Sequence, residues 1–237
     1  MMTKLSPSEF ERYGRQILIF GEDAQLRLKE AKVAILGLGG LGSAIAYYLA
    51  AAGVGTLRII DGDKVELDNL NRQILHWTTD IGKNKTESAR EKLEKLNPEI
   101  KIEAVQGVIS RDNVSKLIGE VDVIVDALDN FEARYIADEY AHEIEVPFVH
   151  GAVEAFYGQA TTIIPGKTYS LREIFPNMTK ERSNGMPIPV IGITPGIIGL
   201  IEATETLKII LGMGSLLTNK LLIVDLLNNR FEIIELK

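Results

Sequence analysis

The sequence predicts an α/β protein: a mostly parallel sheet with helices on both faces, extended by antiparallel strands at the C-terminal end. Three observations predict it. From Lys32 to His150, short apolar β-branched runs alternate with helix-length amphipathic segments, the pattern of consecutive βαβ units. The first of these runs, Val33-Ala34-Ile35-Leu36, passes into a glycine-rich turn at the head of a helix. Near the C-terminus, Leu221–Leu227 and Arg230–Leu236 flank Asn228-Asn229, a hairpin signal.

Composition bounds the class. The 237 residues are 46% hydrophobic and 25% charged, which fits one large globular domain over 1–237. A net charge of −7 argues against a surface that coats nucleic acid. The absence of cysteine excludes disulfides, thiolate zinc sites, thiol nucleophiles and iron–sulfur clusters. His76, His142 and His150 are too scattered for a metal signature. The N-terminal MMTKLSPSEF lacks the apolar core of a signal peptide. No stretch approaches the roughly 18–20 apolar residues of a membrane span. A cytoplasmic protein with no membrane contact is expected.

Taken in order, Ser6-Pro7-Ser8-Glu9 reads as a capping box that starts a helix over Phe10–Ile19, ended by Gly21. Glu22–Glu30 reads as a second helix, so residues 1–30 form a helical arm. Its Arg12 reads as a solvated face. The stretch 31–150 is the nucleotide-binding core. Its glycine turn, Gly37-Leu38-Gly39-Gly40-Leu41-Gly42, has the G-x-G-x-x-G pattern and makes the fold Rossmann-like. Gly37 takes the tight turn, Gly39 admits a phosphate to the backbone, and Gly42 lets the helix Ser43–Ala52 pack on the strand. A helix N-terminus there offers free N–H groups to an anion. The second strand, Thr56–Ile60, ends in Asp61-Gly62-Asp63, where a carboxylate can accept ribose hydroxyls. Asn69, Arg72 and Gln73 fall three or four apart, so one helical turn can carry all three. Lys83 and Lys85 precede a helix over Thr86–Leu96. A strand Lys101–Val105, a helix Arg111–Ile118, a buried strand Val121–Asp126 and a helix Phe131–Ile144 capped by Asn130 continue the series, followed by a strand Pro147–His150. His76 and His150 read as packed side chains. From 151 to 237 the pattern changes to a strand Gly158–Ile164, a long loop Lys167–Ile193, a helix Gly196–Leu211 and the hairpin.

Three strand ends thus converge: the glycine turn, Asp61 with Asp63, and Asp129. Arg72 and Lys85 lie on the connection between. A glycine cradle, carboxylates and two cations exceed what a dinucleotide needs and suit a nucleoside triphosphate with magnesium.

At these residues the chain resembles the MoeB/ThiF group of ubiquitin-activating-enzyme-like adenylyltransferases. The matching pieces are Arg12-Tyr13-Gly14-Arg15-Gln16, the glycine turn with Ser43, Asp61-Gly62-Asp63, Asn69-Leu70-Asn71-Arg72-Gln73, Gly82-x-x-Lys85 and Asp129-Asn130. Gly151, Gly158-Gln159 and Gly199-x-x-x-Ala203-x-Glu205-x-x-Lys208 extend the match. The resemblance implies an enzyme that binds ATP and Mg2+, adenylates the C-terminal Gly-Gly carboxylate of a ubiquitin-like sulfur-carrier protein (MoaD-like or ThiS-like) and releases pyrophosphate. It implies a nucleotide site of Gly37, Gly39, Gly40, Gly42, Asp61, Asp63, Asn69, Arg72, Gln73, Lys85, Asp129 and Asn130. Asp61 holds the ribose, Asn69, Arg72 and Lys85 contact the phosphates, and Asp129 binds magnesium. Arg15 is expected to reach the ATP of the other subunit of a homodimer. These five, Arg15, Asn69, Arg72, Lys85 and Asp129, form the expected catalytic set. The partner supplies the nucleophilic carboxylate, so positioning and charge neutralisation suffice.

The chain departs from the pattern in two places. Many members hold a structural zinc with two Cys-x-x-Cys pairs; here Thr168-Tyr169-Ser170 stands in the region of the first pair, and no zinc site is expected. Some members carry a cysteine before the last helix; around Ser183-Asn184-Gly185 there is none. The adenylate is therefore expected to pass directly to a separate sulfur donor. The loop Lys167–Ile193 is expected to order over the carrier tail.

Three rival readings remain at this point. An NAD-dependent oxidoreductase would use the glycine turn and Asp61 but leaves Asn69–Gln73 and Lys85 unexplained. A tRNA threonylcarbamoyl-adenosine dehydratase-like enzyme would need a basic groove. A non-catalytic carrier-binding scaffold would not need Arg72, Lys85 and Asp129 together.

Overall fold

The computed structural model describes residues 4–176, 178 and 189–237. The expected α/β architecture, a mostly parallel sheet extended by antiparallel strands, is present. The strands are β1 (Lys32–Leu36), β2 (Thr56–Asp61), β3 (Lys101–Gln106), β4 (Val123–Asp126), β5 (Phe148–Glu154), β6 (Tyr157–Ile163), β7 (Lys220–Asp225) and β8 (Arg230–Glu235). The helices are α1 (Pro7–Phe20), α2 (Glu22–Glu30), α3 (Gly40–Ala52), α4 (Lys85–Leu96), α5 (Val114–Ile118), α6 (Phe131–Glu143), α7 (Leu171–Ile174) and α8 (Ile193–Leu211).

The eight strands form one sheet in the order β3-β2-β1-β4-β5-β6-β7-β8. Pairings from β3 through β5 are parallel, and those from β5 through β8 are antiparallel. The chain leaves β1 for β2 on one side and returns to β4 on the other. Such a reversal opens a crevice at the carboxyl ends of the two central strands, where α/β sheets bind ligands. The glycine turn after β1 and the segment Ala127–Asn130 after β4 flank it.

β1 is apolar at every interior position because both its faces are covered. Val33 and Ile35 join a core with Ile45 and Leu49 of α3 and Ile198 and Ala203 of α8. Ala34 and Leu36 face the other layer, with Ile118 of α5 and Ile136 and Ala137 of α6. β8, at the open edge, is exposed at every residue.

The expected capping box forms: Ser6 Oγ accepts the Glu9 N–H at 3.2 Å, and Glu9 Oε2 accepts the Ser6 N–H at 2.7 Å. The α1 helix lies at the C-terminal end of α3. A Cβ at Gly53 would meet Tyr13 Cζ at 2.5 Å, and Gln16 Nε2 donates to Ala52 O at 2.7 Å. Arg12 stays exposed and donates to Leu96 O.

Some element bounds move. β5 runs on through Gly151 to Glu154, because β6 pairs antiparallel with its whole length, from Phe148 with Ile163 to Glu154 with Tyr157. The α8 helix begins three residues before the expected Gly196, at Ile193. The expected loop Lys167–Ile193 contains α7, which starts from a Ser170–Glu173 capping box. Residues 177 and 179–188 of that loop lie outside the described residues, so its expected ordering over a carrier tail does too. Among the described residues no helix is long and apolar enough to cross a membrane.

Candidate functional site

The site is assembled from backbone contacts first. The Gly37 N–H donates to Ile60 O at 2.8 Å, and the Ala127 N–H donates to Leu36 O at 2.8 Å, so the glycine turn is strung between β2 and β4. Gly37 has φ +94°, and a Cβ on it would lie 2.5 Å from Ala127 O. A Cβ on Gly42 would lie 2.0 Å from Gly37 O. Both positions therefore exclude any side chain, for conformational reasons at Gly37 and for space at Gly42. At Gly40 a Cβ would meet Pro195 Cγ of α8 at 2.8 Å, and Arg72 O at 3.5 Å.

Asp61 ties the turn to the next strand end. Its Oδ2 accepts the Leu38 N–H and its Oδ1 the Asp63 N–H, both at 2.7 Å. Burial pushes the Asp61 carboxyl up from its ordinary value, while the Lys85 ammonium and the two N–H donors pull the other way. Lys85 opens α4, and its Nζ lies 3.0 Å from Asp63 Oδ2. The Lys85 side chain is 6% exposed and that of Asp63 69%, so a nearly buried cation meets an exposed carboxylate beside Asp61. Backbone bonds brace this contact: Lys85 N–H to Asp63 O, Val65 N–H to Lys83 O and Gly82 N–H to Val65 O.

The polar segment after β2 does make one helical turn, with Asn69 O accepting the N–H groups of Arg72 and Gln73 at 3.1 and 2.9 Å. Its three side chains do not behave alike. Asn69 is buried and holds the turn itself, accepting the Glu66 N–H and donating to Asp68. Arg72 is half-buried, its guanidinium on Asp68 O and Asn71 Oδ1. Gln73 is buried beside the glycine turn: its Nε2 would lie 3.7 Å from a Cβ on Gly39. Its Oε1 has no hydrogen-bond partner among the described residues.

After β4, Asp129 is exposed and its Oδ1 accepts from Asn130 Nδ2 at 3.2 Å. Asn130 caps α6, its Oδ1 accepting the Ala133 N–H at 2.9 Å. The cap is thus supplied by Asn130, and Asp129 is left facing solvent. The structure connects the glycine turn, Asp61, Asp63 and Lys85 by direct contact, sets Gln73 and the Arg72 backbone beside Gly39 and Gly40 while the Arg72 guanidinium is held on Asp68 O and Asn71 Oδ1, and joins the Asp129 loop to the turn through Gly37.

It does not bring Arg15 to them. Arg15 is exposed on α1, which packs at the opposite end of α3 from Gly40. The thirteen residues of α3 separate those ends by about 20 Å at 1.5 Å per residue.

His76 is packed, as expected, but it also supports the site. Its Nε2–H donates to Leu38 O at 2.9 Å and its Nδ1 accepts from Ser88 Oγ at 2.8 Å, the tautomer that a carbonyl acceptor requires. Burial lowers its pKa to about 4, so the ring is neutral at neutral pH. Ser88 in turn takes Lys92 Nζ at 2.9 Å, and Lys92 pairs with Asp80 at 2.5 Å. Sequence reasoning also passed over Asp126 and Arg134 beneath Asp129. The one signal available for them was a buried strand ending in a carboxylate, with an arginine one turn into the next helix.

Residues 13–237 match the ThiF family. The chain belongs to that family. Among ThiF-family relatives, the SAMP-activating enzyme E1 of Haloferax volcanii is 38% identical over 98% of this chain and 87% of its own. The adenylyltransferase and sulfurtransferase MOCS3 of Culex quinquefasciatus is 38% identical over 94% of this chain and 52% of its own. Among solved structures, E. coli MccB with ATP superposes with a TM-score of 0.83 at 26% identity, over 95% of this chain and 71% of that one.

Proposed function

We propose that this chain is an ATP-dependent adenylyltransferase that activates the C-terminal glycine carboxylate of a ubiquitin-like sulfur-carrier protein. The carrier carboxylate attacks the α-phosphorus of ATP, the bond to the β-phosphate oxygen breaks, and pyrophosphate leaves. The product is a carrier acyl-adenylate.

The single observation that carries this reading is the contact chain from Lys85 through Asp63 and Asp61 to the Leu38 N–H. It sets a cation and two carboxylates against the glycine turn at the sheet's switch point. In this reading the backbone at Gly39 and Gly40 lies along the nucleotide and Asp61 accepts the ribose hydroxyls. Lys85, Arg72 and Asn69 hold the phosphates, and the two cations neutralise charge that builds as the α-phosphate is attacked. The partnerless Gln73 Oε1 suits an N–H or O–H of the nucleoside.

Asp129, exposed at the end of the same crevice, would hold magnesium. Magnesium commonly takes one or two carboxylates and completes its shell with substrate phosphates and water, which fits a site with one solvent-exposed aspartate. When bound it would neutralise the triphosphate. Arg15 stands about 20 Å along α3 from its own glycine turn, and this supports a homodimer in which it serves the partner's ATP. With no cysteine in the chain, the acyl group stays on AMP and goes to a separate sulfur donor.

The test is ATP–pyrophosphate exchange in the presence of Gly-Gly carriers from the source cell. The expected outcome is exchange with one of them and an AMP-linked carrier detected by mass spectrometry. Absence of exchange with all of them would overturn the assignment.

A further inference from the structure

Beneath Asp129 lies a buried polar cluster to which the reading above gives no role. Asp126 ends β4 fully buried. Its Oδ1 accepts the Leu128 N–H at 3.1 Å, and its Oδ2 accepts from His150 Nδ1 at 2.7 Å. Arg134, in the first turns of α6, is 5% exposed. It donates through Nε at 3.1 Å, and again through Nη2, to Leu128 O. Its Nε also lies 3.7 Å from Asp126 Oδ2, and its guanidinium stands 5.3 Å from the Phe131 ring centre.

These bonds all end on one short stretch of backbone. The Leu128 N–H is held by Asp126. The Leu128 carbonyl, which belongs to the peptide that leads into Asp129, is held twice by Arg134. On the preceding residue, the Ala127 N–H is bonded to Leu36 O and its carbonyl abuts Gly37. On the following one, Asn130 is fixed as the cap of α6. The aspartate is exposed, but the backbone that aims it has little freedom left.

We propose that Arg134 and Asp126 are positioning residues: they clamp the Leu128–Asp129 peptide and so set the direction in which Asp129 presents its carboxylate to the magnesium triphosphate. This rests on the reading of Asp129 as the metal-binding residue. Neither positioning residue touches the ligand. Arginine is required at 134 because two N–H groups converge on one carbonyl while the same plane faces Asp126. A lysine supplies one mobile point charge instead. Partners of this kind, one step behind a metal ligand, typically change metal affinity or activity by about 10- to 100-fold when removed.

The experiment uses the full chain as wild type, Arg134→Met, Arg134→Lys and Asp129→Asn. Two quantities are measured: the Mg2+ concentration that gives half of the ATP-dependent rise in Tm, and amide hydrogen exchange at residues 126–130 without nucleotide. Arg134→Met is expected to raise the Mg2+ requirement about 10-fold or more and to speed exchange at Leu128 and Asp129. Arg134→Lys should recover part of both. If Arg134→Met does not fold, Arg134→Lys, which keeps the buried charge, carries the comparison with wild type. A folded Arg134 variant with the wild-type Mg2+ requirement, alongside an Asp129→Asn that raises it, overturns the clamp and leaves the site reading intact. An unchanged requirement in Asp129→Asn overturns both.

Discussion

The two strands that flank β1 in this sheet end in the same way and are used differently. β2 ends at Asp61 and β4 at Asp126, on either side of β1. In both, one carboxylate oxygen accepts the N–H two residues on, from Asp63 or Leu128. The second oxygen separates them. That of Asp61 takes the Leu38 N–H of the glycine turn, in a partly exposed position. That of Asp126 takes His150 inside the core. The same turn chemistry therefore serves a ligand at one strand end and the framework at the other. At the β4 end Arg134 of α6 lies buried beside Asp126, whereas Asp61 at the β2 end stays partly exposed.

The sharpest way to break this comparison is to remove the framework carboxylate. Asp126→Ala leaves the Arg134 guanidinium buried without its counter-charge and should destabilise the fold by about 3–5 kcal/mol, read by denaturant unfolding. Asp61→Asn, which keeps an acceptor for a backbone N–H, should cost far less stability and should instead weaken ATP binding in a titration. Equal stability losses in the two variants would erase the distinction.

On the ligand side, Lys85→Met should slow pyrophosphate exchange by roughly 100- to 1,000-fold, or about 2.7–4 kcal/mol, as expected for one lost charge-stabilising donor. A change confined to Tm, with exchange intact, would return Lys85 to the framework class.

His76 gives a pH-dependent version of the same question. Its folded pKa, about 4, lies below its ordinary 6.5, so the unfolded chain binds the extra proton first. Its contribution to stability is complete above pH 6.5 and is lost as pH falls toward 4, by about 3 kcal/mol in all. Asp138, raised by burial to about 6, works in the opposite sense between its ordinary value and 6. The measurement is therefore the stability gap between wild type and His76→Asn, which should narrow as pH falls from 6.5 to 4. A constant gap would show that the ring's charge is irrelevant to the fold. The smallest effect is expected at Asn130: replacing this cap by Ala should cost about 1 kcal/mol, by thermal melting.

Much of this was legible in the residues. The glycine spacing, the acids at strand ends and the Asn69–Gln73 turn follow local rules, and the structure brings the glycine turn, Asp61, Asp63 and Lys85 into contact. The mostly parallel character of the sheet followed from the alternation of apolar runs; the order of its strands did not. What could not be read were partnerships across the fold. Asp126 looked like one more buried strand residue, and Arg134 like one more charge on a helix. Their significance appears only when β4, β5 and α6 meet. The true start of α8 was hidden for a similar reason. Gly192 and Pro195 look like loop residues in sequence, but Pro195 packs on Gly40 and a Cβ at Gly192 would lie 2.4 Å from Asn71 O.

The return into α8 has a corollary. The Ala155 N–H donates to Pro189 O at 2.7 Å, and Thr194 Oγ1 donates to Ala155 O at 2.8 Å, which seats this end of the chain before it reaches Gly40. At the other end, Leu171 N–H is bonded to Asp138 and Tyr135 to Phe175 O. Each bank is moored independently by the described residues, so the start of α8 and the α7 turn each hold their place on the sheet through contacts of their own.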